Sequence, residues 1–403
     1  MNIPERSSRQ SRTNAMSHLV TSEEKSAAQA IQAADSSDIT PVANANDDAE
    51  SGAGPAASEV IQHYRRQSRR KILAIVALTI AALVAFAIAT IVGPIDLSLS
   101  ELWNGLFNPD GVDETTRTVL WNLRLPAAVM AVLIGASLSL SGAHMQTILD
   151  NPLAEPFTLG ISAAAAFGGA ASIVLGWTVL ANPQFNLAAV AWVTSLVAVF
   201  VVAGAAVWRG ASAESMILLG IALVFLFQAL LSLMQYRATT EALQQIVFWT
   251  MGSLQRATWT SNAIILGSLA IAIPFTIFNS WKLTALRLGD DRAAALGINV
   301  QRLRVSTLVV SSLLAASAVA FAGVIGFIGL VGPHVARMLV GEDQRYFAPA
   351  SMAAGALLLA AAHAVSITIV PGVAVPIGII TSLVGVPFFL VLIFARRRTL
   401  WGA

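Results

Sequence analysis

The segment 156–208 contains no Asp, Glu, Lys or Arg. A helix of ~20 apolar residues already crosses the ~30 Å hydrocarbon core of a bilayer, so this segment is long enough for two crossings. The turn-forming sequence Asn182-Pro183-Gln184 divides it near its middle. Because 56% of the 403 residues are hydrophobic and only 11% are charged, we expect lipid to surround most of the chain.

Further charge-poor runs predict the other membrane spans. These runs are 72–95, 125–149, 215–236, 257–281 and, at double length, 346–395. The remaining apolar stretch, 305–336, counts as two spans, near 305–324 and 327–340, because basic clusters at 65–71 and 396–398 flank the membrane region at both ends. Basic residues favour the cytoplasmic side, so the number of spans must be even. The sequence therefore predicts an all-α membrane protein with ten transmembrane helices in the plasma or inner membrane and both termini in the cytoplasm.

The region before the first span differs in composition. Residues 1–64 are rich in Ser, Ala, Asn, Asp and Gln and almost lack aromatic side chains. Such a segment cannot bury enough apolar surface to offset the entropy that is lost on ordering. We therefore expect 1–64 to be a disordered cytoplasmic tail and 65–403 to form the membrane domain.

Several chemical signatures are absent from the sequence. It has no cysteine, which excludes disulfides and thiolate metal sites, and its formal net charge of +2 does not suggest binding to nucleic acid. No GxxxxGK[ST] motif occurs, so the chain cannot bind ATP through a Walker A loop. No predicted span carries the Asp or Glu of an ion-coupled carrier, and no constellation suggests an enzyme. Transport would therefore need energy from another subunit, and we expect this chain to bind no cofactor.

Polar residues in or beside the predicted spans are candidates for a translocation path or its gates, because such side chains are costly in lipid. They are His144, Gln146, Asn151, Pro152, His334, Arg337 and His363. The alternative for the first four is an ordinary polar cap at the end of a span. The three histidines fall on separate segments without a nearby carboxylate, so we expect no metal site.

The longest predicted cytoplasmic loop inside the membrane domain is 282–304. Asp290 or Asp291 could cap a short helix through 292–296, and Gly297 could end that helix. A short helix along the membrane surface could dock into a groove of a partner protein. An ordinary charged connector is the alternative.

From the second predicted span onward the sequence contains a series of short motifs. They are Arg124-Leu125-Pro126; Ser141-Gly142-Ala143 with Gln146; Asn151-Pro152-Leu153-Ala154-Glu155-Pro156 with Leu159-Gly160; Phe248-Trp249 with Gly252-Ser253; Ala295-Leu296-Gly297; Gly326-Phe327-Ile328-Gly329-Leu330-Val331 with Pro333-His334 and Arg337; and Pro376-Ile377-Gly378 with Gly385-Val386-Pro387-Phe388-Phe389. In their order and spacing, across about 72–395, the chain resembles the permeases of ATP-binding-cassette (ABC) importers for iron-siderophores, haem and cobalamin.

The resemblance implies a cobalamin-importer-like (type II ABC importer) permease fold with ten helices per subunit. A second permease would complete a homo- or heterodimer, two cytoplasmic ATP-binding subunits would use the ATP, and an extracytoplasmic binding protein would deliver the ligand. The expected function is import of a ferric siderophore by alternating access. Import of haem or cobalamin is an alternative, and an ATP-independent secondary transporter is another.

The resemblance also implies roles for individual residues. Arg124 would meet acidic residues of the binding protein, although from the sequence alone an interfacial anchor is the simpler interpretation. The segment that would couple to the ATP-binding subunits comprises Asp290, Asp291, Arg292, Ala295, Leu296 and Gly297.

Five positions depart from the pattern that this family usually shows. Ala127 replaces a second Arg after Leu-Pro, and Asp150 replaces an Arg before Asn-Pro. His363 and Ile367 replace an Asp and an Arg, and Ala374 replaces a frequent Glu. Two of the usual outer docking charges are therefore missing. We expect a weaker contact with the binding protein, or a heterodimer in which a second permease supplies the missing charges.

Overall fold

The computed structural model describes residues 55–93, 98–108, 111–209, 212–370 and 372–400, and within these ranges the chain is helical without β-strands. The chain divides into two units, Met1–Tyr64 and Arg65–Ala403. The predicted disordered tail lies largely outside the described residues. The helices of the larger unit therefore carry the description of the fold.

The helices follow one another with short connections. They are α1 (Pro55–Ile91), α2 (Leu99–Phe107), α3 (Glu114–Thr118), α4 (Leu125–Ile148), α5 (Ile161–Leu175), α6 (Pro183–Arg209), α7 (Ala213–Arg237), α8 (Thr240–Thr250), α9 (Trp259–Leu286), α10 (Asp290–Ala295), α11 (Val300–Ala322), α12 (Ile328–Val340), α13 (Gln344–Thr368) and α14 (Ile377–Leu400). A π-helical segment, Val119–Arg124, leads into α4, and a 3₁₀ turn, Pro156–Leu159, precedes α5.

Seven of the described helices are long and apolar enough to cross a membrane: α1, α4 with the turns before it, α6, α7, α9, α11 and α13. Three shorter apolar helices, α5, α12 and α14, occupy the other predicted spans. The turn predicted at 182–184 is confirmed, because α6 begins at Pro183. The all-α membrane fold is thus confirmed, and the count of ten crossings stays a prediction.

The bundle has two ends, which we name by their short helices. Trp259 begins α9, and its indole N–H donates to the carbonyl oxygen of Trp121 at 3.0 Å, just before α4. The N–H of Ser253, which follows α8, donates to the carbonyl oxygen of Ala322 at 2.7 Å, at the end of α11. The α8 face is the end that holds these contacts. The α10 face is the opposite end, where α4 and α9 terminate and α10 lies.

Helix α4 is enclosed by protein and packs against α9, α11, α12 and α13. Small residues allow this close approach, because a methyl group on Gly142 would overlap the carbonyl oxygen of Gly329 in α12. The hydroxyl of Ser139 donates to a carbonyl oxygen of α13 at 2.6 Å, and the hydroxyl of Ser141 donates to one of α11 at 2.6 Å. The central helix is thus fixed by both packing and hydrogen bonds.

The predicted loop 282–304 is shorter in the structure. Helix α9 continues to Leu286 and α11 already begins at Val300, so only 287–299 lies between them. The predicted aspartate cap of the short helix is wrong, because the N-cap position is Gly289 at φ +100°, and Asp290 is the first helical residue. Gly297, at φ +81°, follows the end of α10 in the left-handed conformation that a C-terminal glycine favours.

Candidate functional site

The side chain of Arg304 joins three elements of the α10 face. Its Nη1 and Nη2 donate to the two carboxylate oxygens of Asp290 at 3.1 and 2.9 Å, and its Nε donates to the carbonyl oxygen of Ile148 at 2.8 Å. Arg304 is only 4% exposed. Asp290 is the first residue of α10 and Ile148 the last of α4, so one buried guanidinium ties the short helix to the central helix.

The short helix α10 packs against the bundle on one side and is exposed on the other. Ala293 and Ile298 are buried against the bundle, whereas Asp291 and Arg292 are exposed. Leu296 is also exposed, at 52%. A single exposed apolar side chain is normal on a protein surface and does not by itself mark a contact. The outer side of α10 is accessible to a partner, and the predicted coupling role stays a prediction.

A second group of polar side chains lies on the α10 face, and we call it the charge cluster: Gln146, Asp150, Arg287, Arg337 and Glu342. Arg287 donates to Asp150 at 2.9 Å and also pairs with Glu342. Arg337 lies 3.0 Å from Glu342 and donates to the side-chain oxygen of Gln146 at 2.8 Å. The cluster connects the ends of α4, α9 and α12, and it unites two of the polar residues that the sequence singled out.

The other candidates near the end of α4 have local roles in the structure. His144 is fully buried between α4 and α9, where its Nε2 lies 3.0 Å from the hydroxyl of Thr276. The side-chain oxygen of Asn151 accepts from the N–H of Leu153 at 2.9 Å, so Asn151 and Pro152 form the turn after α4. In this conformation these three residues therefore serve the packing and the turn, and their role as gates stays a prediction.

A cavity of about 250 Å³ on the α8 face brings the unusual positions together. Its lining includes Arg124, Ala127, His363, Ile367 and Ala374. Four of the five residues that depart from the family pattern thus line the same cavity. Arg124, which matches the pattern, lines it as well. The place where charges are usual is here lined mainly by neutral side chains.

Arg124 itself turns inward. It is 8% exposed, and its Nη1 donates to the carbonyl oxygen of Ile91 at 2.6 Å, at the end of α1. A guanidinium at the last carbonyl groups of a helix stabilises that terminus. In this conformation Arg124 therefore anchors α1 to the start of α4, and its predicted contact with a binding protein stays a prediction.

The three histidines are not brought together. His334 packs edge-on against the ring of Phe388 at 5.8 Å, whereas His144 and His363 lie in the separate places described above. Within the described ranges, no group of three or more His, Asp or Glu side chains is placed to hold a metal ion.

A bundle of apolar helices with a surface helix tied to its central span defines a multi-pass membrane protein. The model of the FecCD transport family matches residues 80–395. The chain therefore belongs to this family, whose members are permeases of ABC importers.

The comparisons extend over most of the chain. An ABC transporter permease protein of Methanocaldococcus jannaschii is 37% identical over 84% of this chain and 99% of its own length. The hemin transport system permease protein HmuU of Yersinia pestis is 34% identical over 76% of this chain and 90% of its own length. A solved structure of an inward-facing metal-chelate type ABC transporter is 31% identical and superposes with a TM-score of 0.71, covering 80% of this chain and 98% of that one.

Sequence reasoning missed several residues of the site. Arg287 and Glu342 are 55 positions apart, and the sequence marked Arg287 only as one of many basic residues near the membrane. The hydrogen bond between Arg304 and Asp290 joins residues 14 positions apart, and the sequence did not predict it either. A basic residue one helical turn inside a span, as Arg304 is in α11, was the available signal, because a charge there needs a partner.

Proposed function

We propose that this chain is the permease subunit of an ATP-driven importer that moves a ferric siderophore across the cell membrane. The observation that carries the proposal is the link through Arg304. It provides a direct mechanical connection from α10, where an ATP-binding subunit would press, to α4 at the centre of the bundle. The family membership supports the ATP-driven class.

In this mechanism the permease itself makes and breaks no covalent bond. Nucleotide-driven closure of the ATP-binding subunits displaces α10, and Asp290 and Arg304 transmit the displacement to Ile148 at the end of α4. The charge cluster next to this link must exchange partners as α4, α9 and α12 shift. The arginines of these pairs are 14–18% exposed and the carboxylates 43–74% exposed, so each pair lies between a buried one and an exposed one, which contributes only ~0–1 kcal/mol.

The proposed orientation places the α10 face in the cytoplasm, because the basic residues concentrate on that side. Both termini are then cytoplasmic. The proposed partners are a second permease subunit, two cytoplasmic ATP-binding subunits and an extracytoplasmic substrate-binding protein. The partners bind and hydrolyse the ATP, and this chain binds no cofactor.

The binding protein would dock on the α8 face. The cavity beside Arg124 supports a contact with fewer charges than is usual in the family, because Ala127, His363, Ile367 and Ala374 line it. A second, non-identical permease that supplies the missing charges is one way to complete the docking surface. Replacement of Arg124 by Glu with unchanged uptake would count against docking at this position.

The proposed ligand class rests on similarity. One relative is named as a hemin permease and one solved structure as a metal-chelate type transporter, and these two support a metal chelate as the ligand. Within this class we favour a ferric siderophore, and haem and cobalamin are the alternatives. A secondary transporter without an ATPase is a further alternative.

The test is deletion of the gene followed by uptake of iron-59 as a panel of siderophores, with haem and cobalamin in parallel. The proposal predicts loss of uptake for one siderophore class and recovery on complementation with the unaltered gene. Loss of haem or cobalamin uptake alone would replace the proposed ligand. Uptake that persists after ATP depletion would favour the secondary transporter.

A further inference from the structure

Two adjoining cavities open on the α8 face, away from the cavity beside Arg124. They have volumes of about 440 and 290 Å³, and Leu187, Trp249 and Arg256 line both of them. The larger cavity falls within the size range of small-molecule sites, ~300–1,000 Å³. Its lining also includes the amide side chains of Gln244 and Gln245, on α8. It therefore combines aromatic, amide and cationic groups in one space.

Among the described residues, no carboxylate balances the charge of the Arg256 guanidinium. Its Nε and Nη2 are buried and have no hydrogen-bond partner among the described residues. None of the ion pairs in the described part of the chain includes it. Its backbone, in contrast, is fixed, because its carbonyl oxygen accepts from the side-chain Nε2 of Gln184 at 2.7 Å. The backbone at Arg256 is thus fixed, whereas Nε and Nη2 of its side chain have no partner among the described residues.

An arginine in this position is costly without an anion. Arginine stays charged in proteins and presents donors in a planar fork that matches a carboxylate. Burial lowers the pKa of the Arg256 guanidinium, in the direction expected for a cation removed from water. A carboxylate that entered the cavity would satisfy both buried donors at once.

We propose that the cavity around Arg256 binds a carboxylate group of a small anionic metal chelate. Arg256 pairs with the carboxylate, Gln244 and Gln245 donate amide hydrogens to its remaining polar groups, and the rings of Phe248 and Trp249 pack against its apolar part. The identity of the ligand as the transported chelate rests on the proposed function. A small ligand is favoured over an acidic side chain of a docking protein, because Nε and Nη2 of Arg256 are themselves buried within the cavity lining.

The test is equilibrium binding to the purified full-length chain in lipid nanodiscs. The probes are iron-55 dicitrate and haem, which carry carboxylates, and ferrichrome, a ferric trihydroxamate without them. We expect Arg256→Gln to weaken binding of both carboxylate probes at least about tenfold and to leave ferrichrome binding unchanged. Arg256→Lys keeps the charge and loses the planar fork of donors, so its affinity for the carboxylate probes should lie between those of Arg256→Gln and the unaltered chain. Arg237→Gln, an exposed arginine that ends α7, is the matched control and should behave as the unaltered chain.

The same proposal can be tested without a substitution. Citrate should displace haem from the unaltered chain, and triethyl citrate, which lacks the carboxylates, should not. Three results would overturn the proposal. They are binding of the carboxylate probes that does not depend on Arg256, an equal loss of ferrichrome binding in Arg256→Gln, and equal displacement of haem by triethyl citrate and citrate. An Arg256→Gln variant that loses only its complex with a binding protein would overturn it too.

The outcome is separable from that of the proposed function. If the gene deletion affects no iron chelate but carboxylate probes still bind through Arg256, the site stands and the ferric-siderophore assignment fails. If chelate uptake depends on the gene but none of the carboxylate probes binds through Arg256, this site proposal alone fails.

Discussion

Replacement of Asp290 by Asn separates the short helix α10 from the central helix with little change in shape. In the structure two oxygens of Asp290 accept from Arg304, which also donates to the carbonyl oxygen of Ile148. The amide keeps one acceptor and loses the charge. Asp291→Asn is the matched control, because Asp291 is the next residue of the same helix and is exposed.

The burial of the two side chains sets the expected magnitude. Hydrogen bonds to charged groups contribute about 1.5–3 kcal/mol, whereas exposed ion pairs contribute ~0–1 kcal/mol. The side chain of Arg304 is 5% exposed and that of Asp290 is 54% exposed, so the pair lies between these limits. We expect Asp290→Asn to remove about 1–2 kcal/mol of coupling, which is roughly a 5- to 30-fold change in an equilibrium.

The assay measures two rates in proteoliposomes that contain the complete transporter. ATP hydrolysis reports the ATP-binding subunits, and chelate uptake reports the permease. We expect hydrolysis to change little in Asp290→Asn, and the number of ligands moved per ATP to fall about 5- to 30-fold. The Asp291→Asn transporter keeps the bond between Asp290 and Arg304, so its ratio of uptake to hydrolysis should fall less than that of Asp290→Asn.

Two results would refute this reasoning. The first is an unchanged ratio of uptake to hydrolysis in Asp290→Asn, which would show that the bond to Arg304 transmits nothing. The second is an equal fall in Asp291→Asn, which would assign the effect to the charge of α10 as a whole.

Two further predictions concern stability. Gly142→Ala should destabilise the protein by about 1–3 kcal/mol or more and lower its melting temperature in detergent, because the added methyl group would overlap the carbonyl oxygen of Gly329. Gly204→Ala is the control, since a methyl group there meets no atom within 4 Å. Equal melting temperatures of the two variants would contradict the packing described for α4. The hydrogen bonds from Arg345 hold the pKa of Asp343 below its usual range, so this carboxylate stabilises the fold above its unfolded pKa and loses that effect as the pH falls through its lower folded pKa. Near pH 7 the melting temperature of Asp343→Asn should therefore lie below that of the unaltered chain, and at pH values under the folded pKa the two melting temperatures should be equal. A difference in melting temperature that does not change with pH would argue against this linkage.

Much of the fold could be predicted from the sequence because lipid imposes one strong rule. Charges are costly at the centre of a span, so charge-free runs indicated the approximate positions of the apolar helices, and Pro183 marked the turn before α6. The sequence also indicated the short length of α12, since the predicted span covered only 327–340. It begins after Phe327, which lies at φ +69°, and ends at Val340. The predicted separation of the spans near 305–324 and 327–340 thus has a physical counterpart in the backbone.

The site was less predictable, because its bonds join residues that are distant in the sequence. Periodicity shows which residues share a face of one helix, but not which partner a charge finds on another. The predicted aspartate cap of α10 failed for a related reason, since Asp290 forms its bonds with Arg304 and leaves the N-cap position to Gly289. Arg124 likewise found acceptors at the end of α1, and no pattern of residues around Arg124 indicated them.

The enclosed position of α4 has a consequence for biogenesis. The ribosome makes α4 before α9, α11, α12 and α13, the helices that later surround it. Until α11 and α13 emerge, the hydroxyls of Ser141 and Ser139 lack the carbonyl acceptors that they have in the finished protein. In the newborn α4 these hydroxyls can donate only within their own helix, as Thr147 does to the carbonyl oxygen of Ala143. A chain truncated before Ser351 leaves Ser139 without the bond that ties α4 to α13.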